Sequence, residues 1–194
     1  MQNVVIRAIE RLDFRTKEAY KTLRTNLSFA GKNVKVISLT SCTPNEGKTS
    51  VSFQLCLSLA ESGKQTILVD ADLRKSVLRG RYKANREKYG LSHYLSGQVE
   101  LDDACCRTNV NNFDIIFAGP IPPNPSELLG GDAFRNMLEV LRMKYDYVIV
   151  DTPPLGSVID AAIVGAICDG TVIVVESGAI SYKFVQNVKE QLNK

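Results

Sequence analysis

Tryptophan is absent from the 194 residues, and His93 is the lone histidine. A Cys/His zinc centre therefore has too few ligands. The five cysteines (Cys42, Cys56, Cys105, Cys106 and Cys168) form no C-x-x-C pair, and their odd number does not fit a closed disulfide framework. They read as packing thiols in a reducing cytosol, the adjacent Cys105 and Cys106 included. No apolar run approaches the roughly 18 residues that a membrane-spanning helix needs. The opening "MQNVVIRAIERLDF" carries Arg7, Glu10, Arg11 and Asp13, so it is not a signal peptide. Charge of one sign is also scarce: 24 basic residues stand against 21 acidic ones, a net of +3, which argues for no nucleic-acid partner. Internal repeats and low-complexity segments are missing, and one Pro-rich connection, "GPIPPNPSELLG", stands out.

With 44% hydrophobic and 23% charged residues, the chain suits one globular domain. Its pattern alternates. Residues 16–30 place Ala19, Leu23, Leu27 and Ala30 at helical spacing, with Thr16 as cap and Gly31 as stop. Short, β-branched apolar runs at 34–40, 66–72, 113–119, 145–151 and 170–177 read as buried strands. Helices are expected at 48–62, 90–97, 126–144 (capped by Ser126), 160–168 and 181–194. Strands alternating with helices predict an α/β fold: a three-layer sandwich, its central sheet mostly parallel, with helices on both faces.

The most telling shortage is a single glycine. "TSCTPNEGKTS" follows a strand and opens a helix, which is the context of a phosphate-binding loop, yet Cys42 stands where G-x-x-x-x-G-K-[ST] begins with Gly. The rest of the loop is functional in kind. Gly47 lets the backbone approach phosphates, Lys48 reaches the β- and γ-phosphates, and the Thr49 hydroxyl suits Mg²⁺. Asn45 tolerates left-handed backbone geometry. Pro44, Asn45, Glu46, Gly47, Lys48, Thr49 and Ser50 are the expected ATP-binding residues. Two further motifs end in acids at the same sheet edge: "ILVDADLRK", with Asp70, Asp72 and Arg74, and "YDYVIVDTPP", with Asp151. Taken singly, each is a strand that merely ends in an acid; together they converge on one ligand site.

As a set these residues resemble the bacterial tyrosine kinases of capsule and exopolysaccharide synthesis. Their loop also lacks the leading Gly and carries Pro and Glu before Gly-Lys-[ST]. They are matched here by Pro44, Glu46, Gly47, Lys48 and Thr49, by Asp70, Asp72 and Arg74, by Asp151, and by the stretches "PPNPSELL" and "EAYKTLRTN". The MinD/ParA-like ATPases share the fold but carry an extra Lys five residues before the invariant one, where this chain has Thr43. A MinD/ParA-like switch and a non-catalytic nucleotide-binding regulator stand as alternatives.

The resemblance implies a P-loop NTPase sandwich and an ATP- and Mg²⁺-dependent protein-tyrosine kinase. Lys48 would serve the phosphates, and Asp70 would be the base for the tyrosine hydroxyl. Asp72 is catalytic as well, able to exchange roles with Asp70, and Thr49, Asp72 and Asp151 would hold the metal. It also implies a division into an arm and helix for activator docking and oligomerisation (1–30) and a kinase domain (31–194). A separate transmembrane activator would recruit this cytoplasmic chain to the inner face of the membrane. A homo-oligomer, in the family a ring, would form through Glu18, Lys21 and Arg24, where Lys21 replaces an Arg of the family pattern. Tyrosine-bearing proteins would be the substrates. The family carries one more strand and a tyrosine cluster beyond the point where this sequence stops at "VKEQLNK", so either the sequence is a piece or the acceptor is another protein. Val4, Val5, Ile6 and Ile9 in the arm either dock on a partner or pack on their own domain.

Overall fold

The computed structural model describes residues 1–31, 33–85 and 87–192. Along the chain run β1 (Gln2–Val4), α1 (Phe14–Phe29), β2 (Val36–Ser41), α2 (Lys48–Glu61), β3 (Thr66–Asp70), α3 (Leu78–Arg81), α4 (Leu91–Leu95) and α5 (Leu101–Ala104). Then follow β4 (Cys106–Thr108), β5 (Phe113–Ile116), α6 (Pro125–Gly130), α7 (Asp132–Lys144), β6 (Tyr147–Asp151), α8 (Asp160–Gly165), β7 (Gly170–Val174) and α9 (Tyr182–Leu192). The last two residues of the helix expected at 181–194 lie outside the described residues.

The sheet order is β1-β4-β5-β3-β6-β2-β7. The five strands from β5 to β7 are mutually parallel; β4 pairs antiparallel to β5, and β1 runs parallel to β4. Strict alternation in the central strands feeds two cores. Val36, Ile67, Val69, Val148 and Val150 point to the face covered by α4–α8, where Phe134, Met137 and Leu141 of α7 pack. Ile37, Leu39, Leu68, Ile115 and Ile149 point to the face covered by α2, with Phe53, Leu55 and Leu59. Because α2 lies between the sheet and α1, it is buried nearly all round and carries no polar stripe.

Four departures from the sequence expectation have local causes. The strand read at 66–72 stops at Asp70, whose carboxylate accepts the Asp72 amide (3.3 Å) and turns the chain. The strand read at 113–119 stops at Ile116 because α4 takes the next carbonyls, with Leu91 N donating to Phe117 O (2.7 Å) and Ser92 N to Ala118 O (3.0 Å). The helix read at 126–144 breaks between α6 and α7 at Gly130–Gly131. The cap of α1 is Asp13 rather than Thr16: its side chain accepts the Thr16 amide (2.7 Å).

The N-terminal arm packs on its own domain. Gln2, Asn3 and Val4 pair with Cys106, Arg107 and Thr108, and Val4 and Ile6 are buried, while Val5 and Ile9 stay exposed. All five cysteines are free; burial pushes the Cys105 and Cys106 thiols up to about 12, so neither is a reactive thiolate. Among the described residues no helix is long and apolar enough to cross a membrane.

Candidate functional site: a phosphate loop backed by two carboxylates

The crossovers from β2 to β3 and from β6 to β7 leave the sheet in opposite directions, which opens a crevice at the carboxyl ends of β2, β3 and β6. The loop after β2 lies there. The Ser41 hydroxyl donates to Thr43 O (2.8 Å), and the Thr43 amide donates to the Glu46 carboxylate (2.6 Å), closing a tight turn. Asn45 (φ 71°) and Gly47 (φ 87°) adopt the left-handed conformation. Cys42 does not: the non-glycine residues at positive φ, among the described residues, are Asn45, Lys83 and Asn112. The leading position of this loop therefore has no need of glycine. Its side chain is buried against Leu155, Ala161 and Val188 instead. The glycine freedom sits across from it, where a Cβ on Gly156 would stand 2.2 Å from Cys42 O.

Gly47 leads directly into α2, whose first-turn amides have no partners within the helix and face the crevice. Pro44, Asn45, Gly47, Lys48 and Thr49 line a cavity of about 280 Å³ together with Asp72, Arg74, Lys75 and Arg81. Two expected ATP-binding residues stand apart from that lining. Glu46 turns back to brace Thr43, and Ser50 receives a hydrogen bond from Arg81.

Behind the loop, Asp151 at the end of β6 is fully buried and collects three donors: Lys48 Nζ at 2.8 Å, Thr49 Oγ1 at 2.7 Å and Ser52 Oγ at 2.9 Å. Asp70, at the end of β3, is its register partner on the adjacent strand and equally buried. Burial, reinforced by the neighbouring Asp151 charge, raises the Asp70 carboxyl to about 7, although hydrogen bonding from Ser76 and the charge of Lys48 pull the other way. The Ser76 hydroxyl and the Asp72 amide are its donors. Asp72 leaves the sheet and caps the following turn through the amides of Lys75 (2.9 Å) and Arg74 (3.3 Å).

Arg74 ties this turn to the far layer. Nε and Nη2 form a bidentate pair with the buried Asp160 at the start of α8 (2.7 and 3.0 Å), and Ser126 of α6 bonds both partners. Burial opposes ionisation of Asp160, yet these hydrogen bonds hold its carboxyl below the usual range. Asp160, Ser76, Ser52, Lys75 and Arg81 escape a reading of the sequence. Ser126 was expected to cap a helix and binds Asp160 instead. No local pattern signals a pair 86 residues apart.

The donor set of Thr49, Asp151 and Asp72 is all oxygen, as a hard cation such as Mg²⁺ requires. Among the described residues no group of three or more His, Cys, Asp or Glu forms a metal cage of its own.

Comparison with known proteins agrees with this geometry. The AAA domain family matches residues 34–194. The tyrosine-protein kinase CpsD of Streptococcus agalactiae is 43% identical over 180 residues, covering 93% of this chain and 79% of that protein. The chain belongs to the bacterial tyrosine kinases. The solved kinase domain of the Escherichia coli tyrosine kinase ETK superposes with a TM-score of 0.88 at 33% identity, covering all of this chain and 85% of that one. The septum site-determining protein MinD of Pyrococcus horikoshii, solved with Mg-ADP, is a more distant neighbour, with a TM-score of 0.60 at 26% identity over 72% of this chain and 57% of that one. This kinase is accordingly a nucleotide-binding P-loop protein, and its loop departs from the MinD/ParA pattern at Thr43, whose amide is engaged by Glu46. In this bacterial tyrosine kinase the residues expected to serve oligomerisation on α1 make different contacts within the chain. Lys21 pairs with Glu18 (2.7 Å) on the exposed face, whereas Arg24 reaches back to Ser58 O on α2 (2.5 Å).

Proposed function

We propose that this kinase transfers the γ-phosphoryl group of ATP to tyrosine hydroxyls of proteins that govern capsular or exopolysaccharide synthesis and export. The observation that carries the reading is the juxtaposition, on adjacent strands, of Asp151 holding Lys48 and Thr49 and of Asp70 with its raised proton affinity. The backbone of residues 45–50 and Lys48 hold the phosphates, Lys48 exchanging Asp151 for phosphate oxygens. Thr49, Asp151 and Asp72 would hold Mg²⁺, directly or through water, and the ion would supply charge neutralisation to the phosphates. Asp70 accepts the tyrosine proton as the new O–P bond forms and ADP leaves; Asp72 is the alternative base, and its use as a turn cap favours Asp70. Arg74 is a positioning residue that fixes the turn carrying Asp72 and Ser76.

Incubation with ATP, Mg²⁺ and a cytoplasmic activator segment, followed by detection of phosphotyrosine on the chain and on a tyrosine-rich peptide, tests the reading. Lys48→Met abolishes transfer, and Asp70→Asn does so with ATP affinity kept; transfer retained in both variants refutes the scheme. We further assign residues 1–30 to activator docking and oligomerisation, with Val5, Ile9 and the Glu18–Lys21 face available to partners. A separate transmembrane activator would then hold the chain at the inner membrane face, and light scattering with and without ATP tests self-association.

A further inference from the structure

A cavity of about 840 Å³ lies beside the nucleotide crevice rather than within it, and its size falls in the range of roughly 300–1,000 Å³ common for ligand sites. The two spaces share Val77 and Arg81 in their linings. Ser76, which lines the larger one, is the residue whose hydroxyl donates to Asp70. The groove thus leads from solvent to Ser76, the hydrogen-bond partner of the proposed base.

Its floor is rigid. Gly90 and Gly119 meet backbone to backbone, so that a Cβ on Gly90 would lie 2.6 Å from Gly119 N and from Phe117 O. Its walls are basic: Arg79, Arg81 and Lys88 are exposed. The sole acid among the lining residues is Glu87, held by Arg79 at 3.8 Å. The Glu87 Oε2 atom is buried without a hydrogen-bond donor. The Tyr89 ring, edge-on to His93 with centroids 5.6 Å apart, adds an apolar wall.

We propose that this groove is the acceptor site, and that it selects a tyrosine flanked by acidic residues on another protein. This rests on the kinase reading above. The tyrosine hydroxyl takes the place of the Ser76 hydroxyl on Asp70. Its proton passes to Asp70, its oxygen bonds the γ-phosphorus, and the bond from that phosphorus to the β-bridging oxygen breaks to release ADP. Carboxylates on either side of the tyrosine meet Arg79, Arg81 and Lys88 at the rim. That contact contributes selectivity and on-rate, and salt screens it.

The test uses the intact chain with ATP, Mg²⁺, the cytoplasmic activator segment and three peptides that share a central tyrosine and differ in flanks of Glu, Gln or Lys. The expected kcat/KM falls in the order Glu, Gln, Lys, with Glu above Lys by about tenfold at low salt and the preference shrinking as salt rises. Lys88→Glu and Arg79→Gln, each measured separately, reduce the Glu-to-Lys ratio by about threefold. ATP affinity reports that each variant is folded. Equal rates for the three peptides, a preference for the Lys peptide, or a ratio untouched by both substitutions would overturn the proposal. Phosphotyrosine on the chain with none on any peptide overturns the acceptor groove alone; phosphotyrosine on neither removes the kinase reading beneath it.

Discussion

Asp70→Asn carries the sharpest prediction, because the same burial that suits Asp70 to act as a base costs the fold stability. Its carboxyl stands at about 7 against an ordinary 3.8. A shift of about 3 units corresponds to about 4 kcal/mol. Between these values the native protein holds a proton that the unfolded chain has lost, so stability falls as pH rises from 3.8 towards 7 and stays reduced above it. Asparagine keeps an oxygen for the Asp72 amide and carries no charge, so it escapes the penalty. In urea titrations without nucleotide or Mg²⁺, the variant should match the wild type near pH 4 and exceed it at pH 8 by up to about 4 kcal/mol. That gain should accompany the loss of phosphotransfer, which is the trade expected where a site is held in an unfavourable electrostatic state. A variant less stable than the wild type at pH 8, or a wild type whose stability is flat from pH 4 to 8, would refute the reasoning.

Three further outcomes follow from the contacts. Arg74→Met leaves buried Asp160 with Ser126 alone, so it should destabilise by about 3 kcal/mol at pH 8 and by less near pH 4, whereas Asp160→Asn, which leaves a half-exposed Arg74, should cost about 1 kcal/mol; paired denaturation curves at both pH values decide. Gly156→Ala drives a methyl against Cys42 O, so the loop must shift, and calorimetry should find ATP bound about tenfold more weakly. Deleting residues 1–6 removes the buried Val4 and Ile6 and the cover on the β4 edge, and should lower unfolding stability by about 4 kcal/mol in urea titrations.

What the sequence made legible was the part of the site built from continuous signals. Strands β2, β3 and β6 are buried and mostly apolar because both their faces are covered, and each delivers its loop or acid to one edge. Asn45 and Gly47 were readable because only a few residue types accept their backbone angles. The strands β1 and β4 were not, since three residues give no periodicity and their pairing joins segments about a hundred residues apart. Asp160 opens α8 as an ordinary first-turn acid, and nothing local to it marks the Arg74 pair. The missing glycine was read as a family trait from sequence; the structure supplies its cause, because Cys42 occupies an ordinary backbone conformation and the close approach is made by Gly156.

The two carboxylates at the ends of β3 and β6 illustrate how neighbouring, chemically identical groups come to differ. They occupy register positions on adjacent strands and are equally buried, so residue type and depth do not separate them. Their donors do. Asp151 receives an ammonium and two hydroxyls, all from α2, the helix that carries the phosphate loop. Asp70 receives one hydroxyl and one amide, both from its own downstream turn. An acid tied to the loop is placed to support whatever the loop binds. An acid left with fewer donors beside a charged neighbour keeps a high proton affinity and is placed to take a proton. Exchanging the donor sets should therefore exchange the behaviour: Ser76→Ala, which removes the hydroxyl from Asp70, should push its carboxyl above about 7 and move the rising limb of the pH–rate profile upward. A limb that stays in place or moves downward would show that Ser76 does not set the proton affinity of Asp70.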